Sequence, residues 1–215
     1  MGLRVVMTAH PLLDAGAFVV RTSAPLVELA TPPAVLAARE PQASAPFCSS
    51  DTVRAEVRAL LRHGGFKPAG RSKPASEYLL AVHQEGAFPT INALVDACNV
   101  VSLHSGLPIS LVDIDKLVGA LAIEVAAPGT TYSFNPSGQV IDAGGLLCLR
   151  DELGPSGTPV KDAQRTKTHD GTRAALAIVW GTRSLPGRAA KATAWFRELV
   201  APIGDVDNVE LIAKV

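Results

Sequence analysis

An α+β fold, a layered, mostly antiparallel or mixed β-sheet covered by helices, is what this sequence predicts. Three observations predict it. Between Val53 and Leu103 the apolar residues recur at helical spacing. From Leu121 onward the runs LAIEVA, TTYSF, QVI, LLCLR and AALAIVWG carry strand chemistry, divided by Pro128-Gly129, Asn135 to Gly138, Gly144-Gly145 and Gly154 to Gly157. Helical spacing then returns from Gly187 to Val200, before a closing strand at Val209 to Val215.

Taken in order, AFVVRTSAPLVELA (17–30) supplies one or two strands, and the Pro- and Ala-rich stretch from Thr31 to Pro46 reads as an irregular connection. Ser49-Ser50-Asp51 offers N-cap chemistry to a helix with Val53, Val57, Leu60 and Leu61 on its apolar face, ending at His63 before Gly64. Arg54, Arg58 and Arg62 recur at i, i+4 and i+8 on that helix, a basic stripe that Lys67, Arg71 and Lys73 extend in sequence. Pro74 suits the first turn of a short helix through Val82. The next helix starts near Thr90 and stops at Ser105-Gly106, with Pro108 preventing its resumption. In the late helix Ala190, Ala194, Trp195 and Leu199 form the apolar side.

The helix after Thr90 is unusual. Asn92, Asp96 and Asn99 fall on one stripe of a segment otherwise built from Leu94, Val95, Ala97, Cys98, Val100 and Val101. A buried polar stripe must find partners or cost stability. Two readings stand: it lines a pocket for a ribose or an α-amino group, or it satisfies buried backbone, and Ser102 near its edge shares that choice. Asp113 and Asp115 in the following turn are read as mainly structural.

Composition bounds the rest. The 215 residues, 47% hydrophobic, suffice for a sizeable core within one domain spanning 1–215. Lys+Arg and Asp+Glu number 20 each, so any nucleic-acid contact must come from a local patch. Cys48, Cys98 and Cys148 stand far apart without metal-ligand spacing, which points to reduced thiols, no metal site, no cofactor and a cytoplasmic protein. The N-terminus lacks a signal-peptide pattern, and no run approaches the roughly 20 apolar residues that span a bilayer.

Chemistry is expected after the Gly/Pro-rich loop, where Gln164, Arg165, Thr166 and Lys167 precede a strongly apolar strand. Arg165 and Lys167 suit phosphate or carboxylate, and Thr166 or Thr172 suits a water or an ester carbonyl. A solvated charged turn is the alternative. Glu77, near Lys73 and Ser76, is either an acid or base or a surface residue. His63, His83, His104 and His169 are candidate bases, although none sits in a nucleophile motif.

The run from Asn92 to Lys116, the segment RTKTHDGT (Arg165 to Thr172) and the strand ALAIVWG resemble the free-standing form of the B3/B4 domain, the tRNA-editing module of the phenylalanyl-tRNA synthetase beta subunit. The resemblance covers about Val53 to Trp180 and includes KPASEYLL (Lys73 to Leu80) and PVKDAQRTK (Pro159 to Lys167). It implies a layered sheet-and-helix fold and a trans-editing hydrolase that lets water cleave the ester of a mischarged aminoacyl-tRNA. It also implies a Glu near a Gly-Gly turn and a His in the synthetase site; the corresponding turn here reads DAQRTK, so those residues are not carried over.

The expected assignment places Thr166, Gln164 and Asp96 in the chemistry. Asn92, Asn99, Arg165, Lys167, Thr172, Lys73, Ser76 and Glu77 are set at the substrate, and Arg54, Arg58 and Arg62 on the RNA. Asp96 and Arg165 are expected at opposite ends of one pocket. The partner is the aminoacylated 3′ end of tRNA, with neither DNA nor a membrane involved and the oligomeric state open. The alternatives are a tRNA-binding or regulatory module without turnover, and an amino-acid-binding protein without an RNA partner.

Overall fold

The structure, a computed structural model, describes residues 2–40 and 43–214. The Val215 end of the closing strand, Pro41 and Gln42 in the Pro/Ala connection, and Met1 lie outside the described residues.

Among the described residues ten strands form the framework: β1 (Leu3–Thr8), β2 (Leu13–Thr22), β3 (Ile109–Asp113), β4 (Leu121–Val125), β5 (Thr131–Ser133), β6 (Val140–Asp142), β7 (Leu147–Asp151), β8 (Gly154–Gly157), β9 (Ala174–Thr182) and β10 (Gly204–Lys214). Eight of them make one sheet in the order β3-β9-β2-β10-β1-β4-β7-β8, and β5 pairs with β6 as a separate hairpin. The sheet is mixed. β1 runs parallel to both β10 and β4, while the other pairs are antiparallel. β9 is buried at every position, the signature of a strand covered on both faces.

The helices are α1 (Pro33–Ala38), α2 (Asp51–Arg62), α3 (Ala75–Gln84), α4 (Ala93–Ser105) and α5 (Arg188–Val200). α2 begins where cap chemistry puts it, the Ser50 side chain accepting from Val53 N, and its C-cap is His63. α4 ends at Gly106, whose φ of +68° is a left-handed cap that glycine adopts without penalty.

Three expectations change, and a segment that carried no expectation proves to be a strand. The Pro/Ala connection contains α1, since a Pro at the first helical position costs no hydrogen bond. GPSG at 154–157 is strand β8 rather than a separator, because it pairs at the sheet edge, where Pro is tolerated. ISLVD at 109–113 is a fully buried strand that lacks the alternation by which a strand is recognised. On α5 the buried residues are Ala189, Ala192, Phe196, Leu199 and Val200, while Ala190 and Ala194 are exposed; the bulk of Phe196 decides the register by its edge-on contact with Phe18.

The sheet curls until its two ends meet. Ser110 Oγ on β3 donates to Thr158 O just past β8 at 3.1 Å, and the Asp162 carboxylate accepts from Leu111 N and Thr158 N, each at 3.1 Å. This near-closure gathers the loop after β8, the β5–β6 hairpin and α4 at one corner.

Candidate functional site

Ordinary backbone turns build that corner. Thr158 Oγ1 accepts from Val160 N and Lys161 N, folding 158–162 into a tight turn, and Tyr132 OH on β5 donates to Lys161 O at 2.6 Å. Fully buried Trp180 on β9 donates from Nε1 to Ser110 Oγ at 2.9 Å, which fixes the hydroxyl that reaches Thr158 O. Asp162 is thereby set beneath the Lys161 backbone. It is also close enough to α4 that its charge adds to burial in pushing the Cys98 thiol upward.

Two ammonium groups share this corner, and Lys167 is the one whose charge reaches the Asp162 carboxylate. Lys161 Nζ stands 4.1 Å from the centroid of the Phe134 ring and 5.7 Å from that of Tyr78, and Lys167 Nζ stands 5.6 Å from the Phe134 centroid and donates to Phe134 O. Burial, then the neighbouring Arg71, hold Lys161 below the usual lysine range. Burial also lowers Lys167, against the pull of Asp162 and with the help of Lys161. Burial pushes the Asp162 carboxyl up to about 6, although Ser110, the two backbone N–H donors and Lys167 all favour its charged form. Three perturbed groups beside an aromatic face make the kind of cluster in which functional sites occur.

The other residues singled out from sequence are largely occupied in holding the fold. Asn92 is the N-cap of α4, accepting from Val95 N at 3.0 Å, and so lies before the helix rather than on its stripe. Asp96 is fully buried: one oxygen accepts from Ile91 N at 2.8 Å, the other from Thr31 Oγ1 at 3.2 Å, and Arg39 Nη1 lies 3.9 Å away. Near the other end of the helix, His104 Nε2 meets Ala38 O at 2.8 Å. Asp96 and His104 therefore tie α1 to α4. Asn99 is half-buried and makes no side-chain hydrogen bond among the described residues.

Arg165 is likewise spent. Its guanidinium forms a bidentate pair with Asp151, at 2.6 and 2.9 Å, and donates as well to Gly154 O, Pro155 O and Ser156 Oγ. Buried Thr166 donates to Ser156 O at 2.7 Å, which leaves its hydroxyl no water to hold. Thr172, buried, donates to Asp113 Oδ2 at 2.5 Å; Asp113 also accepts from Asp115 N and has His169 Nε2 at 3.2 Å. Gln164 is half-buried on the same turn.

Ser76 is buried and Lys73 exposed. Glu77 forms a bidentate pair with Arg58, both bonds at 2.6 Å, and Arg54 pairs with Asp51 at 3.0 Å. Carboxylates thus offset two of the three cations in the α2 stripe, leaving exposed Arg62. Of the residues singled out from sequence, the corner holds Lys167 beside Asp162; Asp96 and Arg165 belong to separate ion-pair clusters.

Sequence reasoning passed over Asp162, Lys161, Phe134 and Tyr132. The available signal was Lys161-Asp162 at the end of a Gly/Pro-rich loop, with two aromatic residues before the Asn-Pro-Ser-Gly turn. Among the described residues, no group of three or more His, Cys, Asp or Glu is placed to hold a metal, and no helix is long and apolar enough to cross a membrane.

The family model for the B3/4 domain matches residues 71–185, more than half of the chain. The chain belongs to the B3/4 domain family. The match contains every residue of the corner described above. The crystal structure of an N-terminal fragment of the phenylalanyl-tRNA synthetase beta-subunit from Pyrococcus horikoshii superposes with a TM-score of 0.55 at 10% identity, covering 98% of this chain and 52% of that one. This B3/4 protein shares that fragment's fold and spans about half its length. No curated protein matches the chain.

Proposed function

We propose that this B3/4 protein binds the aminoacylated 3′ end of a tRNA at the Lys161–Lys167–Phe134 corner and hydrolyses the aminoacyl ester there. The observation that carries the proposal is the pair of ammonium groups over one aromatic ring, beside a carboxylate that titrates near 6. Two cations suit successive phosphates, while the part of the half-buried Phe134 ring that stays accessible offers an unstacked base an aromatic surface whatever its identity. The Asp162 carboxyl, pushed up to about 6 by burial, suits a base working near neutral pH.

Water attacks the ester carbonyl and passes a proton to Asp162. The C–O bond to ribose breaks, its electron pair stays on the ribose oxygen, and that oxygen takes the proton back. Free amino acid and uncharged tRNA result. The synthetase-like fold and the family assignment support a tRNA substrate.

One observation favours a second reading, binding without turnover: each Asp162 oxygen already accepts a backbone N–H. Single-turnover hydrolysis of a panel of mischarged tRNAs separates the two. Hydrolysis predicts at least one substrate cleaved, with a rate that rises through pH 6 and falls by about 10² or more in Asp162→Asn, the usual contribution of a general base. Tight tRNA binding with no cleavage of any substrate establishes the second reading.

A further inference from the structure

A second site lies on the outer face of β4, β7 and β8. Cys148 and Arg150 are two apart on β7 and share a face; Glu124 pairs with Cys148 and Pro155 with Arg150, so they stand on that face too. The intervening Leu147 and Leu149 turn into the main core. The turn from Ala126 to Thr130 rises from the sheet toward β5 as a wall. The cavity, about 250 Å³ and open to solvent on one side, has an apolar lining of Ala126, Ala127 and Pro155, with Cys148 buried in its floor.

The charged pair on this cavity is under-used. Glu124 Oε1 lies 3.5 Å from Arg150 Nη1, well beyond the roughly 2.7–2.9 Å of a charge-assisted hydrogen bond. Among the described residues neither side chain makes a hydrogen bond, and their exposures of 34% and 43% leave both within reach of a ligand. Burial, then the charge of Glu124, push the Cys148 thiol up to about 12, which keeps the floor neutral. The cavity therefore offers an anion, a cation and a small uncharged recess.

We propose that this pocket binds a free α-amino acid as its zwitterion, the carboxylate on Arg150, the ammonium on Glu124 and the side chain against Ala126, Ala127 and Pro155. An aminoacyl ester has no carboxylate for Arg150, so the ligand is the free amino acid and not the charged tRNA. The site lies apart from the Asp162 corner and does not depend on the tRNA reading.

Isothermal titration calorimetry on the whole protein tests it, using glycine, alanine, valine, methionine and phenylalanine with the methyl ester and N-acetyl form of each. At least one free amino acid saturates at or below about 10 mM, and both of its derivatives bind about tenfold more weakly or worse. Glu124→Gln and Arg150→Met each cause a similar loss without lowering the unfolding temperature. Ala127→Trp, on the exposed wall, abolishes binding by filling the recess. No saturation by any of the five amino acids, derivatives that bind as tightly as the zwitterion, or undiminished binding in the double variant Glu124→Gln/Arg150→Met overturns the proposal.

Discussion

Replacing Arg165 by Met separates a residue that holds the fold from one that holds RNA. Its guanidinium neutralises Asp151, whose side chain is 0% exposed, and donates to the carbonyls of Gly154 and Pro155 on β8. Breaking a buried ion pair from one side costs about 3–5 kcal/mol, because the remaining charge stays buried. Here two features soften the loss: the Arg165 side chain is 31% exposed, and Asp151 keeps its bonds from Val118 N and Leu153 N. The expected loss is therefore about 2–4 kcal/mol in urea unfolding, with a fall in Tm of about 2–4 °C per kcal/mol for a chain of this size.

The pH dependence has a definite sign. Burial raises the Asp151 carboxyl, but Arg165 and the two backbone donors outweigh it and leave it below the ordinary carboxylate value. Its stabilisation is thus present at neutral pH and lost as pH falls from that ordinary value through the lowered folded one. The gap between wild type and Arg165→Met narrows as pH falls, and its ionic part closes once pH passes the lowered wild-type value, where Asp151 is protonated in both. At a temperature where both are folded, the variant binds tRNA within about twofold of wild type, under the roughly 1.4 kcal/mol that a tenfold change represents. A variant with wild-type stability and tenfold weaker tRNA binding would refute the structural role.

Asp162 has the opposite linkage: its folded carboxyl titrates at about 6 against an ordinary 3.8, so the folded state holds a proton that the unfolded chain releases. Its contribution is complete below pH 4 and lost as pH rises through 6, a span of roughly 3 kcal/mol. Urea unfolding across that range should show a fall in stability for wild type and a flatter profile for Asp162→Asn; equal slopes contradict the raised value. Asp96→Ala leaves Ile91 N, Thr31 and Arg39 without their partner, and is expected to cost about 2–4 kcal/mol in urea unfolding while leaving the proposed hydrolysis by the folded protein unchanged. Gly145→Ala would set a Cβ 2.3 Å from Gly64 O at a φ of +77°, so a loss of more than about 2 kcal/mol is expected, and near-wild-type stability would show that this contact relaxes.

Local chemistry made much of the fold legible in the sequence. Ser50, His63 and Gly106 mark helix ends through caps that need no distant partner, and the runs from LAIEVA to AALAIVWG are bounded by their own turns. β3 and β8 were hidden for a different reason: a strand buried on both faces shows no alternation, and Gly-Pro-Ser-Gly becomes a strand only when β7 pairs with it. The site divides in the same way. RTK looked reactive from its charges, yet its Arg and Thr are consumed by carbonyls of β8, acceptors that sequence spacing does not reveal. Asp162 becomes distinctive only where the ends of the sheet meet and bury it between Leu111 N and Thr158 N.

The central claim, that the Lys161–Lys167–Phe134 corner receives the single-stranded end of tRNA, is tested most directly by comparing the affinity of one tRNA with and without its 3′-terminal nucleotides. Wild type should prefer the intact end by about tenfold, within the 1–3 kcal/mol that one stacked base contributes. Lys161→Met/Lys167→Met should abolish that preference and reduce the slope of log affinity against log salt by about 1–2, one phosphate per lysine. Equal affinity for intact and trimmed tRNA, together with an unchanged salt slope in the double variant, would contradict it.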